Sequence, residues 1–524
     1  MMKKIYNYIL FALICFGFTA CQNHASETRY IPKDALGIFC LNNNSISKKV
    51  AWSALADSRI FQELAHNNAF RIEATGIDPH ASIYAFGLPD RRLESNFKFL
   101  TIFPLKDEKI FSEYIKKTFP RAQFKKINKL QFAIIDQNTC IGWNKKTAIG
   151  AYTSQDISVN NGTKPAEILS VLKEEIQKSF SLPKEQSILE NKRYAQLEKE
   201  QHDFSFWFNL EAFSKAMPQS ESNTTSAAIL SSQKKLLKNT FLGGGVDFEK
   251  GRIDAAGKFY HNPSGTVVAQ SFLPVHYQED LLKKIPGKQL NLMLHLQLNP
   301  KGLVTFLDTI GVLPITKMAL KENGLNPDSV FRLFSGNFLL TAVDFNFQNF
   351  VKNFSSALEG KAPVPFVQAA LTFQVNNRVT LMQLLALAVK NQLITKVNDH
   401  TFQGRHYFLA VKNNYVIVAP FKQTIDKLWA NNDVKNWPVP QSLNHNPFGF
   451  YLDVSSTASS INAELSGEDQ KEHAVKALNL LDNIQVYGGT IKDNYSIFHA
   501  RIVFKNREKN SLLQLIELSN DSTK

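Results

Sequence analysis

The feature that most constrains this fold is an alternation of aromatic and smaller side chains that occurs twice. The stretch Phe204–Leu210 reads FSFWFNL, and 244 residues later Phe448–Val454 reads FGFYLDV. Successive side chains of a strand point to opposite faces of a sheet, so a period of two predicts a strand at each place. Two glycine pairs, Gly244-Gly245 and Gly488-Gly489, have the same separation. The shared interval favours an internal duplication over a chance recurrence of short strands.

The order of the predicted elements also divides the chain into two halves. After Tyr30 the patterns predict strand, helix (Ser47–Asn67), strand, strand, helix and strand, and the plan begins again near Leu290. This order is typical of the split-βαβ motif. We therefore predict an α+β fold of two similar halves, each an antiparallel split-βαβ (ferredoxin-like) sheet with helices on one face plus extra C-terminal strands. The predicted segments are a signal peptide (1–20), a tether (21–30), an N-terminal α+β repeat (31–270), a C-terminal α+β repeat (285–506) and a polar, fraying tail (507–524).

The first twenty-one residues have the pattern of an export signal. Lys3 and Lys4 precede an apolar run, Ile9–Phe18. This run is too short for a helix that spans the membrane, which needs about 20 residues, but it has the length of a signal-peptide core. Small residues then lead to Cys21, whose thiol can carry a diacylglycerol and whose freed amine can carry a further acyl chain.

This start resembles a bacterial lipoprotein signal, with Cys21 as the lipidation site. It departs from the usual pattern at Phe18, where Leu is commoner. An ordinary secretory signal cut nearby and an uncleaved N-terminal anchor remain alternatives. With two or three acyl chains the protein would stay on a membrane almost permanently. We expect a cell-envelope protein that is lipid-anchored to the outer membrane, on either the periplasmic or the surface side.

Charge and cysteines add two weaker constraints. The formal net charge is +14, but the basic pairs are scattered and no long basic tract occurs. Solvated surface explains them better than a weak attraction to anionic lipid or polysaccharide, and we expect no nucleic-acid partner. Once Cys15 has left with the signal, Cys40 and Cys140 remain. They allow either a disulfide, which an exported compartment permits, or two buried free thiols.

The chain carries no recognised catalytic, metal or nucleotide motif. Gly243-Gly244-Gly245 lacks the following Lys and Ser or Thr of a phosphate loop and predicts a bend before a strand. His202-Asp203 are sequence neighbours just before a strand, where adjacent side chains point to opposite faces, so we do not expect a catalytic dyad. His295 is expected to be solvated or hydrogen-bonded, and nothing near Cys140 would lower its pKa. We predict no catalytic residue, no metal and no cofactor.

Two aromatic residues are the candidate ligand-binding residues. Trp207 and Tyr451 occupy matching places in the two alternating strands, opposite the Phe faces. Exposed at a cleft, they would stack on sugar rings or clamp a peptide. If helices cover both faces of the sheet, the two residues belong to the core, and we favour this second interpretation.

Several short motifs carry a family resemblance. Tyr30–Ala35 (YIPKDA) follows the tether, Gly76-Ile77-Asp78 precedes a strand, Leu105-Lys106-Asp107 precedes a helix, and Phe206–Asn209 (FWFN) forms the later strand. The sequence is similar to a family of uncharacterised Bacteroidetes lipoproteins that carry a domain of unknown function. The resemblance implies an exported, lipid-anchored protein. It implies no reaction and no ligand.

Three functions are compatible with these observations. The first is a non-enzymatic binding or scaffold protein of the cell envelope, with the membrane as a partner through the lipid on Cys21, and an envelope protein or glycan as the other. The second is an envelope hydrolase acting on glycans or peptides. It would need two acids ~5–10 Å apart or a nucleophile hydrogen-bonded to a base. The third is a structural member of an outer-membrane assembly. We favour the first.

Overall fold

Several segments of the chain lie outside the residues that the structure describes. The structure, a computed structural model, describes residues 27–50, 74–89, 97–153, 165–216, 234–274, 287–346, 367–430, 445–457 and 478–521, with a few single residues between them. The predicted signal peptide, residues 21–26 of the predicted tether and most of the predicted helix Ser47–Asn67 lie outside these ranges. Residues Glu27–Tyr30 form a 3₁₀ turn.

The described chain contains runs of consecutive strands separated by helices. The strands are β1 (Gly37–Leu41), β2 (Ile83–Pro89), β3 (Phe97–Pro104), β4 (Gln123–Ile127), β5 (Leu130–Ile134), β6 (Thr139–Trp143), β7 (Thr147–Thr153), β8 (Phe204–Asn209), β9 (Phe241–Glu249), β10 (Arg252–Tyr260), β11 (Leu290–Gln297), β12 (Phe334–Val343), β13 (Gln368–Val375), β14 (Thr395–Lys396), β15 (Thr401–Gln403), β16 (Phe408–Lys412), β17 (Tyr415–Ala419), β18 (Phe448–Asp453), β19 (Leu481–Lys492) and β20 (Tyr495–Phe504). The helices are α1 (Asn43–Lys49), α2 (Glu108–Thr118), α3 (Pro165–Phe180), α4 (Lys192–Glu198), α5 (Leu210–Ala216), α6 (Pro263–Phe272), α7 (Lys301–Thr309), α8 (Leu313–Glu322), α9 (Pro327–Phe331), α10 (Arg378–Lys390), α11 (Lys422–Ala430) and α12 (Ser511–Asp521).

The described residues form two compact units. The first unit draws on Met1–Glu221, Leu237–Tyr260 and Arg507–Lys524, and the second on Ser222–Leu236 and His261–Asn506. Each unit contains antiparallel strand pairs with short helices, so the protein is α+β.

The strands of the two units are arranged in the same order. In the first unit the order across the sheet is β4-β5-β6-β7-β3-β2-β1-β8-β9-β10. In the second it is β14-β15-β16-β17-β13-β12-β11-β18-β19-β20. Every pairing in both orders is antiparallel. Each strand of the first unit therefore has a counterpart ten strands later.

The strand registers show which of the two 244-residue spacings relates equivalent positions of the two units. Trp207 lies opposite Ile38 in β1, and Tyr451 lies opposite Met293 in β11, so the two aromatic strands occupy equivalent places. The glycine pairs do not, because Gly244 pairs with Phe206 whereas Gly488 pairs with Phe448. The glycine coincidence was therefore a wrong reason for inferring duplication.

The ferredoxin-like arrangement of each half is not what the strand pairings show. In the split-βαβ motif the third strand lies between the first two. Here β1 pairs directly with β2, and β2 then pairs with β3. The order of elements along the chain is the same in both arrangements. They differ in where β2 returns, which is beside β1 here and one strand away from β1 in the split-βαβ motif. The periodicity of the sequence does not encode this choice.

Helix α2 shows how local sequence positions an element. Asp107 is its N-cap, because its carboxylate accepts hydrogen bonds from the N–H groups of Lys109 (2.8 Å) and Ile110 (3.0 Å). This confirms the predicted start of the helix. Phe111 and Ile115, four residues apart, share one face and enter a core with Trp143.

The prediction that residues 507–524 form a fraying tail is wrong. Residues Ser511–Asp521 form α12, and its Leu512, Leu513 and Ile516 pack in the core of the first unit. Asn510 Nδ2 donates to the carbonyl of Phe248 at 2.8 Å and joins the start of this helix to β9. The polar residues of the tail concealed an apolar stripe with helical spacing.

A buried carboxylate joins α1 to the sheet of the first unit. Asp203 is fully buried and accepts hydrogen bonds from Ser45 Oγ (2.6 Å), Lys49 Nζ (2.9 Å) and the N–H of Phe248 (2.6 Å). Lys49 also pairs with Glu249 at 2.8 Å. A buried charge that loses its partners is costly. Asp203 therefore holds α1, β8 and β9 together.

Replacement of this carboxylate is expected to weaken the first unit. Asp203→Ala leaves the Lys49 ammonium and the Phe248 N–H without their buried acceptor, and the expected loss is about 3–5 kcal/mol. Urea unfolding followed by circular dichroism measures it. As a control, Asp426→Ala removes an exposed helical pair with Lys422 and should cost about 0.5 kcal/mol or less. Equal losses in the two variants would contradict the assigned role of Asp203.

Candidate functional site

A cavity of about 250 Å³ lies in the first unit, between the sheet and α4. Its lining combines hydroxyl, amide, thiol and carboxyl groups with aromatic rings. The residues that matter most for its chemistry are Cys40, Tyr84, Tyr194, Glu198, His202 and Ser205. None of them belongs to a recognisable sequence motif, because they come from three separate stretches, around residue 40, around residue 84 and between residues 194 and 205.

Strand pairing brings three of these residues into one row. Cys40 in β1 lies opposite Tyr84 in β2 on one side and opposite Ser205 in β8 on the other. The next position of the row is Gly245 in β9, which pairs with Ser205. A side chain on Gly245 would collide with the ring of His202, so the imidazole fills that place instead. The row forms one side of the cavity.

Helix α4 supplies the opposite side. Asn191 caps it by accepting hydrogen bonds from the N–H groups of Arg193 (3.1 Å) and Tyr194 (3.3 Å). Tyr194 and Glu198 are four residues apart and so lie on the same face of the helix. The hydroxyl of Tyr84 donates to Glu198 Oε1 at 3.0 Å, which connects the helix to the row.

Three titratable groups that line the cavity, those of Cys40, Tyr84 and Tyr194, are uncharged at neutral pH. Burial raises the pKa of the Cys40 thiol to about 12, so at neutral pH it is not a thiolate. Burial also raises the pKa values of Tyr84 and Tyr194 well above the usual range, and the charge of Glu198 raises them further. Cys40 is therefore a poor nucleophile, and both tyrosines keep their protons.

His202 is held by two carboxylates. Its Nδ1 lies 2.7 Å from Asp247 Oδ2, and its Nε2 lies 3.4 Å from Glu200 Oε2. The hydrogen bond with Asp247 raises the pKa of the imidazole. Asp203, its neighbour in sequence, instead binds Ser45 and Lys49. The adjacent pair is not a catalytic dyad.

The triple glycine has a structural explanation. Gly243–Gly245 lies inside β9 and not at a bend before a strand, which corrects the prediction. Side chains on these three positions would collide with the rings of Trp207, Phe206 and His202 respectively. Glycine is required because rings from both faces of the sheet lie against this strand.

The two candidate ligand residues lie in the core. Trp207 is 1% exposed and packs on Phe241 and Tyr194. Tyr451 is 8% exposed and belongs to a core cluster with Met293. Neither ring is available at a surface. The face of the first sheet that carries the Phe side chains is the more open one, since Phe39 on that face is 38% exposed. The hypothesis that exposed rings lie opposite the Phe face therefore chose the wrong face of this sheet.

The structure also describes the surroundings of two cysteines and two further histidines. Cys40 and Cys140 are free thiols. His295 is buried, and its Nε2 lies 3.0 Å from the carbonyl oxygen of Asn446. His261 Nε2 lies 2.7 Å from Ser496 Oγ, a nucleophile–base pair in form, but Ser496 is only 6% exposed. Among the described residues, no group of His, Cys, Asp and Glu could hold a metal ion.

Within the described ranges, no single helix is long and apolar enough to cross a membrane. Helices α7 and α8 reach the required length and composition only as a pair, bent by 116°.

Comparison with known proteins identifies the family. The profile of DUF4836, a domain of unknown function, matches residues 62–417, about two-thirds of the chain. The chain belongs to this family, which confirms the predicted domain of unknown function. No match was found among curated protein sequences.

Solved structures of the protein TP0453 are similar over part of the chain. Crystal form I has a TM-score of 0.24 at 8% identity and covers 46% of this chain and 80% of TP0453. Crystal form III has a TM-score of 0.24 at 10% identity, with 49% and 90% covered. At these TM-scores the similarity carries no argument about this chain.

Trp207 is expected to contribute to stability in proportion to its burial. Trp207→Ala opens a large cavity and should cost about 3–5 kcal/mol. Phe39→Ala, at a ring that is 38% exposed, should cost clearly less. Chemical denaturation of the two variants makes the comparison. A fully stable Trp207→Ala protein would contradict the core assignment.

Glu27 is expected to make stability depend on pH. Burial raises the pKa of its carboxyl group from 4.5 to about 7, and Asp78 and Glu198 add to the rise while Arg29 opposes it. The folded state therefore holds this proton more tightly than the unfolded state, and stability falls as the pH rises from 4.5 to about 7. Glu27→Gln removes this loss, so the variant should match the wild type in acid and exceed its melting temperature above neutral pH.

Glu211 provides a control, because its effect on stability changes with pH in the opposite direction. The hydrogen bond from Lys215 lowers the pKa of Glu211, so its contribution to stability is present above the unfolded pKa and is lost in acid. Glu211→Gln should therefore melt below the wild type at neutral pH and approach it in acid. Parallel pH profiles of Glu27→Gln and the wild type would refute the role of Glu27.

Proposed function

We propose that this protein is a lipid-anchored binding protein of the cell envelope, and that its first unit binds a small polar ligand in the cavity beneath α4. The observation that carries the proposal is the row Tyr84–Cys40–Ser205, which together with Glu198 lines a cavity of about 250 Å³. Ligand sites are concave, with aromatic walls and a few convergent polar groups. The second unit repeats the same strand order and serves as a scaffold.

The chemistry of the cavity supports binding over hydrolysis. Among the described residues that line it, Glu198 is the single acidic residue, so a pair of catalytic carboxylates is not formed there. The Cys40 thiol keeps its proton at neutral pH, and the imidazole of His202 is engaged by Asp247 and Glu200. These groups are suited to hydrogen bonding and not to activating a nucleophile.

The envelope location rests on the sequence of the first twenty-one residues. Acylation at Cys21 would hold the protein on the outer membrane, with its units displayed on the periplasmic or the surface side. Its partners in this proposal are the membrane, through the lipid, and the ligand of the cavity, with an envelope protein or glycan as its source.

Filling the cavity tests the binding function. Ser205→Trp places a large ring in the row, whereas Ser205→Ala leaves the space open. Binding of a panel of sugars, amino sugars and amino acids is measured by calorimetry on the full chain, with circular dichroism as a check of folding. Ligands that bind the wild type and Ser205→Ala should fail to bind a folded Ser205→Trp protein. Equal binding to both variants would place the ligand elsewhere and overturn the proposal.

The anchor has its own test. Cys21→Ala removes the thiol that would receive the lipid, so the protein should move from the membrane fraction to the released fraction of the producing cell. Mass spectrometry of the wild-type N-terminus is the matching measurement. Unchanged membrane retention of the variant, or an unmodified thiol at Cys21 in the wild type, would refute lipidation there.

A further inference from the structure

We infer that helix α8 of the second unit is a membrane-contacting surface, whose apolar side chains lie at the boundary between the headgroups and the acyl chains of a lipid bilayer. The protein's own side chains make this contact, so it is separate from the lipid on Cys21 and from the cavity of the first unit. It goes beyond the proposed binding function. The exposure, the spacing and the surroundings of the apolar residues of α8 support it.

The outward face of α8 is apolar. Ile315 is 49% exposed and Met318 is 57% exposed, and they are neighbours on the helix surface because they are three residues apart. Pro314 and Ala319 on this side are also exposed. A helix face that meets water normally carries polar and charged side chains. The outward face of α8 is therefore not that of an ordinary surface helix.

The inward side of α8 is apolar as well. Leu313 and Leu320 are half-buried and lie on the side of the helix away from Met318. No residue of α8 is fully buried, although the helix packs against α7 and α9. A helix that is apolar on both sides needs an apolar environment on both. The protein supplies one of these environments, and the outward face still requires the other.

Glycine turns fix the position of α8. At the end of α7 the N–H groups of Gly311 and Val312 bond to the carbonyls of Asp308 (2.9 Å) and Leu307 (3.0 Å), which is a Schellman motif. The end of α8 is built in the same way at Gly324. A side chain at either glycine would meet nothing within 4 Å, so both turns are open. α8 is thus held at the surface of its unit.

The lengths of α7 and α8 suit a helix that lies in the plane of a membrane. The two helices meet at a bend of 116°, and they contain nine and ten residues. Such helices rise about 14 and 15 Å, half of a hydrocarbon core of ~30 Å. α8 can therefore place its outward face in the interfacial region, as amphipathic interfacial helices do, while its inward side stays on the protein.

Two lysines border the apolar face of α8. Lys317 and Lys321 are four residues apart and line one edge of this face. Long lysine side chains cover apolar surface with their methylenes and keep their ammonium groups at the level of the headgroups. Glu322 lies in the last turn of the helix, where the apolar face ends. This arrangement fits a lipid surface with anionic headgroups.

The proposed anchor makes a lipid surface the nearest partner. Glu27, the first residue of the described chain, is six residues from Cys21. Six residues span at most about 20 Å, so the first unit of an anchored protein stays beside the membrane. At such a short tether length the local concentration of lipid is high, and even a weak contact by α8 is populated.

A fluorescent label at position 318 tests the contact. Met318→Cys is labelled with the polarity-sensitive dye NBD in a full chain that also carries Cys15→Ala and Cys21→Ala, and the same chain without Met318→Cys gives the background. Vesicles of phosphatidylethanolamine and phosphatidylglycerol should shift the emission of the label to shorter wavelength. The matched control is Val379→Cys, because Val379 is 70% exposed on α10 of the same unit and should keep its label in water.

Charge substitutions measure how much α8 contributes to binding. In the Cys21→Ala chain, Met318→Glu should lower the partition coefficient onto the same vesicles at least about tenfold, because it puts a charge where apolar surface is buried. Val379→Glu adds the same charge outside α8 and should leave partitioning unchanged. Flotation of the vesicles measures the bound fraction, and circular dichroism checks that each variant is folded.

The outcomes distinguish a membrane contact from other uses of α8. A label at position 318 that stays in water, or a label at position 379 that shifts equally, overturns the inference. Equal partitioning of Met318→Glu and its parent overturns it as well. If light scattering without vesicles shows a dimer that Met318→Glu dissociates, α8 is an interface between copies and the inference is wrong. None of these results tests ligand binding in the cavity or lipidation at Cys21, because every variant has an intact cavity and lacks the lipid site.

Discussion

The antiparallel register of β1, β2 and β8 is the constraint on which the first unit depends. Because side chains alternate between faces, this register puts Tyr84, Cys40 and Ser205 in one row and Trp207 beside them on the same face. A slip of one residue would turn Trp207 outward and move the whole row to the opposite face of the sheet. The buried Asp203 next to β8 opposes such a slip, because its three hydrogen bonds fix the strand relative to α1 and β9.

The two units pack rings at equivalent positions of their sheets but use different residues to do so. Where β8 has Trp207 against Gly243, β18 has Tyr451 against Gln485. In the second unit Gly449 leaves space for the ring of His295, much as Gly245 leaves space for His202 in the first. Aromatic and imidazole rings thus occupy the covered face in both sheets, but the cavity with Glu198 belongs to the first. The two units share a strand order but not the residues that line the cavity.

Sequence periodicity predicted the elements better than their arrangement. It identified the aromatic strands and the helix that follows Asp107, because each is encoded by neighbouring residues. It did not predict the strand order, since residues far apart in the chain decide which strands pair. The cavity was missed for the same reason, because positions 40, 84, 198 and 205 converge only once the sheet has formed. The tail was misjudged because its three core residues lie among polar ones.

The position of α12 has a consequence for biosynthesis. The first unit starts with the earliest described residues but takes Ile516, near the end of the chain, into its core. A chain made from its N-terminus cannot complete this core until residue 516 has been synthesised. Until then, the apolar surface that α12 covers stays open to other chains, as is common for proteins with distant contacts. A protein built in this way would benefit from a chaperone that covers this surface until α12 has been made.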